Sequence, residues 1–262
     1  MSQLTLAMRY SKKDGEPLPS PFTRLSELKA LHRRGQMSLM ASASGGMKSA
    51  YALYLSMHGT EDGITHIPTL YFSADCPKMV QGTRVGASLL DKTTDQIEEM
   101  LKAGDEKVWA AFDTVDNIEW CWDSSLTTAD IDLELEAYAH KYGAYPELIV
   151  VDNLINIQEY NGDLNSKDMV MEGLHYIASN TNSHVLVLSH VTKSYVNGNE
   201  PVTKMGLLDA PDKRARLILT TYKSSPGMLG ICVIKNTTGP ADATARLQVH
   251  YGMMAERMWF SD

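Results

Sequence analysis

The stretch Met40-Ala41-Ser42-Ala43-Ser44-Gly45-Gly46-Met47-Lys48-Ser49-Ala50 constrains this chain more than any other. It follows an apolar run (Met37, Leu39, Met40) and leads into a helical pattern (Tyr51, Leu53, Tyr54, Leu55). Strand, Gly-rich turn, Lys-Ser, helix is the order of a phosphate-binding loop. In such a loop the turn's N–H groups and the positive end of the helix dipole converge on phosphate oxygens. Residues Ser44, Gly45, Gly46, Met47, Lys48, Ser49 and Ala50 would then cradle a nucleotide. Lys48 would set a full charge against the β- and γ-phosphates, and the Ser49 hydroxyl would ligate Mg²⁺. The pattern is degenerate. Laid on Lys48 and Ser49, G-x-x-x-x-G-K-[ST] puts Ser42 at the first glycine and Met47 at the second. A strand–helix connection that needs two flexible residues would give the same letters, so the rest of the chain decides.

A length of 262 residues suits one large α/β domain or two small ones. Hydrophobic content of 44% and charged content of 21% are those of an ordinary globular protein. No apolar run approaches a membrane span, and the N-terminus lacks the apolar core of a signal peptide. Cys76, Cys121 and Cys232 are far apart and odd in number, which speaks against a disulfide framework and for a reducing cytosol. The net charge of -8 argues against a surface coated for nucleic acid, but not against a narrow basic path inside a ring.

Residues 1–22, with Pro17, Pro19 and Pro21, read as an extended N-terminal arm, and 23–262 as one domain. Phe22-Thr23-Arg24-Leu25 opens a short helix that the spacing carries on to a stop at Gly35. Strands are expected at 36–42, 67–72, 118–122, 147–152 and 184–190. Helices are expected at 48–58, from Pro77, around 96–101, and at 106–112, 128–142 and 165–180. Later runs at 217–222, 229–235 and 244–250 read as strands joined by turns at Pro226-Gly227 and Gly239-Pro240. Strands alternating with helices mean an α/β fold, a mostly parallel central sheet flanked by helices, here with a β-rich C-terminal edge. The carboxylates Asp130, Asp132, Glu134 and Glu136 suit a solvated helix face better than a metal site.

Three strand ends carry the chemistry. The apolar strand Glu147–Val151 ends in Asp152, and a carboxylate just beyond a central strand can hold Mg²⁺ through water. Phe72-Ser73-Ala74-Asp75 ends another, where Asp75 would orient or deprotonate the water attacking the γ-phosphate, or else cap the helix at Pro77. Ser189-His190 ends a third, as a γ-phosphate sensor or a structural histidine. The following loop, 191–216, carries Lys193, Lys204, Lys213, Arg214 and Arg216 against Glu200, Asp209 and Asp212. Either it contacts a phosphate backbone or it is a solvated surface loop.

These pieces in this order resemble the RecA-like P-loop NTPase core, most closely the DnaB-type replicative helicase ATPase domain. The similar stretches are LMASASGGMKSAYAL, LYFSADCPKMV, ELIVVDNLINI, VLVLSHVTK, RARLILTTY and CVIKNTTGPADATARL, spread over 23–260. The resemblance implies a ring, typically a hexamer, or a filament, with ATP between subunits and single-stranded DNA on inner loops. It assigns Lys48 and Ser49 to the phosphates and Mg²⁺, and Asp75 to the place of the family's catalytic Glu. Asp152 matches the Mg²⁺-associated Asp, and His190 the Gln that senses the γ-phosphate. Lys235 matches a lysine offered to the neighbour's phosphates. Met47, Asp75 and Thr237 depart from the pattern, Thr237 standing where an arginine finger belongs; Arg216, Arg246 or Arg257 are the arginines left to replace it. The family's N-terminal domain, which contacts primase, is not expected before residue 23.

The leading expectation is a Mg·ATP-dependent oligomeric ATPase acting on single-stranded or forked DNA, a compact helicase or translocase in a bacterial or phage-infected cytoplasm. The alternatives are a RecA-like recombination or DNA-processing factor, nuclease-associated or not, and a nucleotide-binding assembly protein with little hydrolysis.

Overall fold

A computed structural model of the chain describes residues 15–59, 66–208 and 213–262. Part of the expected arm (1–14), most of the turn after the first long helix (60–65) and part of the basic loop (209–212) lie outside the described residues.

Residues 15–22, part of the stretch read as an arm, lie against the domain. Pro17 bridges Arg33, the Leu18 amide donates to the His32 carbonyl at 2.7 Å, and Phe22 stacks on Tyr51 at 4.2 Å. Helix α1 (Thr23–Glu27) is shorter than its apolar spacing predicts. Lys29 takes a positive φ of 55°, and the amides of Lys29 and Ala30 fold back onto the carbonyls of Ser26 and Leu25. The early turn lets Ala30 and His32 enter the core beside Leu25. Tertiary burial overrides local periodicity here.

Strand β1 (Met37–Ser42) leads through the glycine turn into α2 (Lys48–His58). Then follow β2 (Thr69–Ser73), α3 (Lys78–Leu90), α4 (Thr94–Ala103), α5 (Glu106–Phe112) and β3 (Ile118–Cys121). The second half runs α6 (Thr128–Tyr142), β4 (Leu148–Asp152), α7 (Leu164–Thr181) and β5 (His184–His190). It ends in β6 (Leu217–Ser225), β7 (Met228–Asn236), β8 (Gln248–Met254) and β9 (Trp259–Ser261). The nine strands of the described residues make one sheet in the order β3-β2-β4-β5-β1-β6-β7-β8-β9. Pairing is parallel from β3 to β6 and antiparallel from β6 to β9, as the expected β-rich edge requires.

Strands β1, β2 and β4 are buried along their whole length, which explains their continuous apolar runs. One sheet face packs on α2 to α5, through residues such as Tyr51, Leu53, Val85 and Val108. The other packs on α6 and α7, through Ile131, Leu135, Leu174 and Ile177. The strand expected at 244–250 begins later. The Thr244 amide and hydroxyl both donate to Asp242 Oδ1 (2.7 and 2.6 Å) and Ala245 has φ 62°, so a turn occupies 242–245 and pairing starts at Gln248. Strand β9 has no counterpart among the expected elements; its three residues are too few to show a period. Asp130 closes a capping box with Thr127 at the start of α6, so part of that acidic run serves the helix terminus.

Under α2 lies a buried polar chain. Tyr51 OH is 3.0 Å from His32 Nε2, His32 Nδ1 is 3.1 Å from His184 Nε2, and Ser38 Oγ is 2.8 Å from His184 Nε2. His184 Nδ1 donates to the Arg33 carbonyl at 2.8 Å. Burial keeps both imidazoles neutral, and with Nδ1 donating, His184 Nε2 is then the acceptor of the chain. Burial first, then the neighbouring His184, holds the His32 pKa well below 6.5; burial takes His184 down to about 4.

Candidate nucleotide site

Register alone gathers the strand ends. Ser42 pairs with His190 and with Thr221, and Ser73 pairs with Asp152. The ends of β2, β4, β5 and β1, with Thr221 midway along β6, therefore stand side by side on the carboxyl rim of the sheet, where an open α/β fold places its site. The Ala74 and Asp75 amides both donate to the Asp152 carbonyl, at 2.9 and 3.3 Å, and fix the loop after β2 to the end of β4. Asp75 does not cap α3: the N-cap is Pro77, without a side-chain bond.

The turn between β1 and α2 needs its small residues. Gly45 has φ 69°. A Cβ on Gly46 would lie 2.6 Å from Ser42 Cβ, and the Gly46 carbonyl accepts a 2.5 Å bond from the Thr221 hydroxyl. Met47 is the surprise. It holds φ 71°, the left-handed conformation that a glycine adopts without steric cost. The side chain packs partly buried against the core, which offsets some of that strain. Gly46→Ala is expected to loosen the turn. The clash is with backbone-anchored Ser42, so nucleotide binding should weaken more than tenfold while the fold persists at about 1–3 kcal/mol lower stability. Equal nucleotide affinity in calorimetry would show that the turn does not hold phosphate.

Lys48 is only 6% exposed. Burial lowers its pKa, Asp152 and Asp75 raise it, and Arg84 lowers it again. Asp152 is 1% exposed; burial pushes its carboxyl up, the nearby Ser49 hydroxyl and Lys48 pull it down, and Asp75 opposes them. Tyr71 OH donates to Asp152 Oδ2 at 3.3 Å, while Oδ1 is buried with no partner among the described residues. An orphaned buried carboxylate oxygen beside a hydroxyl fits a hydrated Mg²⁺. His190 is lowered by burial and then by Lys48, with Asp75 acting the other way. Lys48, Ser49, Asp75, Asp152 and His190 are thus one electrostatic cluster.

Lys235 does not join it. It pairs with Ile218 near the start of β6, toward the opposite end of the sheet from the glycine turn. Lys193 and Lys204 are exposed on the loop after β5, whose Gly198 approaches the turn: a Cβ there would sit 3.2 Å from Ala43 Cβ. Lys213 and Arg214 are salt-bridged to Asp168 and Glu172 of α7, both at 2.9 Å. Sequence reading missed Arg84. It lines the cavity over the turn with Val80 and Thr83. The spacing 80, 83, 84 on the helix after Asp75 is the signal, since these positions share a helix face.

No protein-family model matches the chain. It is 28% identical over 262 aligned positions to the gene 65 protein of Mycobacterium phage L5, covering 95% of this chain and 94% of that protein. The gene 65 protein of Mycobacterium phage D29 is 27% identical over 238 positions, covering 86% and 99%. Among solved structures, one described as an ATPase domain superposes with a TM-score of 0.78 at 15% identity, across 99% of this chain and 95% of that one. The fold is that of a DnaB-like helicase ATPase domain. A DnaB-like replicative helicase, solved for its interactions with primase, gives the same TM-score of 0.78 at 14% identity; 98% of this chain covers 64% of that one. The DnaB-like fold is RecA-like, and its sheet carries the rim just described.

Proposed function

We propose that this chain is a Mg·ATP-dependent ATPase that self-assembles and acts on DNA as a compact DnaB-like helicase or translocase. The observation that carries the proposal is the gathering of Lys48, Ser49, Asp75, Asp152 and His190 on one rim, around a buried carboxylate oxygen that lacks a partner among the described residues. The turn amides and Lys48 hold the phosphates. Ser49 and Asp152 would hold the metal, which would supply positive charge against the phosphates. Asp75, exposed at the rim, positions the attacking water, and His190 relays the state of the γ-phosphate into the loop that follows β5. Lys235, toward the other end of the sheet from its own chain's turn, would serve a second copy, which would favour assembly into a ring or filament. Magnesium-dependent phosphate release with and without single-stranded DNA, with strand displacement on a forked duplex, tests the proposal. No release under any condition would overturn it.

The loop's cations reach DNA by changing partners. Lys213 and Arg214 are held by Asp168 and Glu172, one turn apart on α7, and phosphates must compete with those carboxylates. The double variant Asp168→Asn, Glu172→Gln is therefore expected to bind a labelled single-stranded oligonucleotide about threefold to tenfold more tightly by fluorescence anisotropy. Unchanged affinity would take Lys213 and Arg214 out of the DNA path.

Met47 favours a second reading, a nucleotide-gated assembly protein with slow turnover, because a bulky residue stands in the turn over the phosphates. It predicts ATP-dependent assembly with little phosphate release.

A further inference from the structure

Strand β2 is buried along its whole length, yet it carries a phenol. Tyr71 is fully buried, and a hydroxyl placed so deep needs an acceptor. Parallel register decides which one it meets. Tyr71 pairs with Val150 and Ser73 with Asp152, and residues two apart on a strand share a face. Tyr71 and Asp152 are therefore diagonal neighbours on one face of the sheet, and the long side chain spans the gap. Its hydroxyl donates to Asp152 Oδ2 at 3.3 Å. The ring that carries the hydroxyl has little freedom. It lies against Trp120 of β3, with centroids 4.8 Å apart, within the core shared with α2 to α5.

This bond leaves the two carboxylate oxygens unequal. Oδ2 is engaged by the phenol, whereas Oδ1 is buried with no partner among the described residues. A carboxylate tethered through one oxygen offers a cation the other. Hard cations respond differently to such an offer. Mg²⁺ demands near-octahedral geometry and keeps several of its waters, so a single oxygen suits it. Ca²⁺ is larger and more tolerant, and it often grips both oxygens of one carboxylate.

We propose that Tyr71 is a positioning residue for Asp152: by holding Oδ2 it keeps the carboxylate turned to present Oδ1 alone, and so makes the site favour Mg²⁺ over Ca²⁺ alongside the bound nucleotide. The proposal rests on the nucleotide reading above and assigns its metal preference to a buried side chain that acts through the carboxylate. Partners that orient a metal ligand in this way are typically worth about tenfold to a hundredfold in metal affinity.

Titration calorimetry of the full chain with ATP in Mg²⁺, in Ca²⁺ and in excess EDTA tests it, with Tyr71→Phe as the variant. The substitution keeps the ring against Trp120 and removes only the hydroxyl, so the variant should fold cooperatively and melt at a modestly lower temperature. The parent is expected to bind ATP about tenfold tighter with Mg²⁺ than with Ca²⁺. In the variant, affinity with Mg²⁺ should fall about tenfold, affinity with Ca²⁺ less than about twofold, and metal-free affinity not at all. In an Asp152→Asn background, Tyr71→Phe should leave the difference between the two metals unchanged. A parent without the preference, a preference that survives Tyr71→Phe, or a loss shared equally by all three conditions overturns the positioning role alone. An effect that persists in the Asp152→Asn background overturns the route through the carboxylate. Absence of ATP binding by the parent under every condition overturns the nucleotide reading and this proposal with it.

Discussion

Replacing Lys48 by alanine is expected to cut DNA-stimulated phosphate release by roughly 10²- to 10³-fold, the scale on which removing one preorganised charge or donor slows an enzyme. Lys48 opens α2 and reaches electrostatically to Asp152, Asp75 and His190. Its removal has a second consequence, which makes the test sharper. Asp152 is 1% exposed and is already pushed up by burial, with Lys48 among the influences that pull it back. Without that cation the buried carboxylate is less compensated, so the variant should also melt at a lower temperature. Adding Asp152→Asn removes the uncompensated charge and should restore part of the stability while restoring no turnover. A structural role for Lys48 would make the two readouts move together. Unchanged turnover in Lys48→Ala would sink the site assignment.

The second large effect is acid lability centred on His32 and His184. Both imidazoles are neutral and buried, with folded pKa values below the ordinary 6.5; that of His184 is about 4. The unfolded chain therefore takes up protons near pH 6.5 that the folded chain refuses. Stability is fully present above pH 6.5 and falls as the pH drops toward 4. One histidine contributes up to about 1.4 kcal/mol per pH unit over that window, so His184 alone amounts to about 3 kcal/mol, and His32 acts in the same direction. His58, also lowered to about 4, adds to the slope, whereas Asp152, pushed up by burial, favours the folded state once the pH falls through its own folded pKa. Urea midpoints between pH 7.5 and 4.5 should fall steeply below 6.5. His184→Gln should be less stable at pH 7.5 but show a flatter profile, because the titrating group has gone. A parent midpoint that stays level from pH 7 to 5 would show that the pair is not held neutral.

These two effects come from different depths of legibility. The glycine turn, Asp75, Asp152 and His190 are readable because each stands where an apolar run stops, and in a parallel sheet the stops share one rim. Their meeting follows from register: Ser42 beside His190 and Ser73 beside Asp152. Arg84 escapes notice because a cation within an amphipathic helix looks like any solvated position until the fold lines one cavity with it and the glycine turn. Lys213 and Arg214 look like loop cations open to DNA because their partners, Asp168 and Glu172, lie more than forty residues away on another element. The early end of α1 and the late start of β8 are hidden for a related reason. In both, a left-handed residue, Lys29 or Ala245, breaks the apolar run: Lys29 where Ala30 turns into the core, and Ala245 after a local turn in which Thr244 bonds Asp242.

The sequence by itself determined the alternation of strands and helices, the places where strands end, and the residue types waiting there. Those depend on periodicity and on where polarity interrupts it, which are properties of neighbours along the chain. Only the tertiary structure decided that Met47 sits in a left-handed turn, that Asp152 keeps an oxygen without a partner among the described residues, and that the basic loop is tied to α7. Those depend on burial and on distances between residues far apart in the chain, and these exist only once the sheet has brought its strands together.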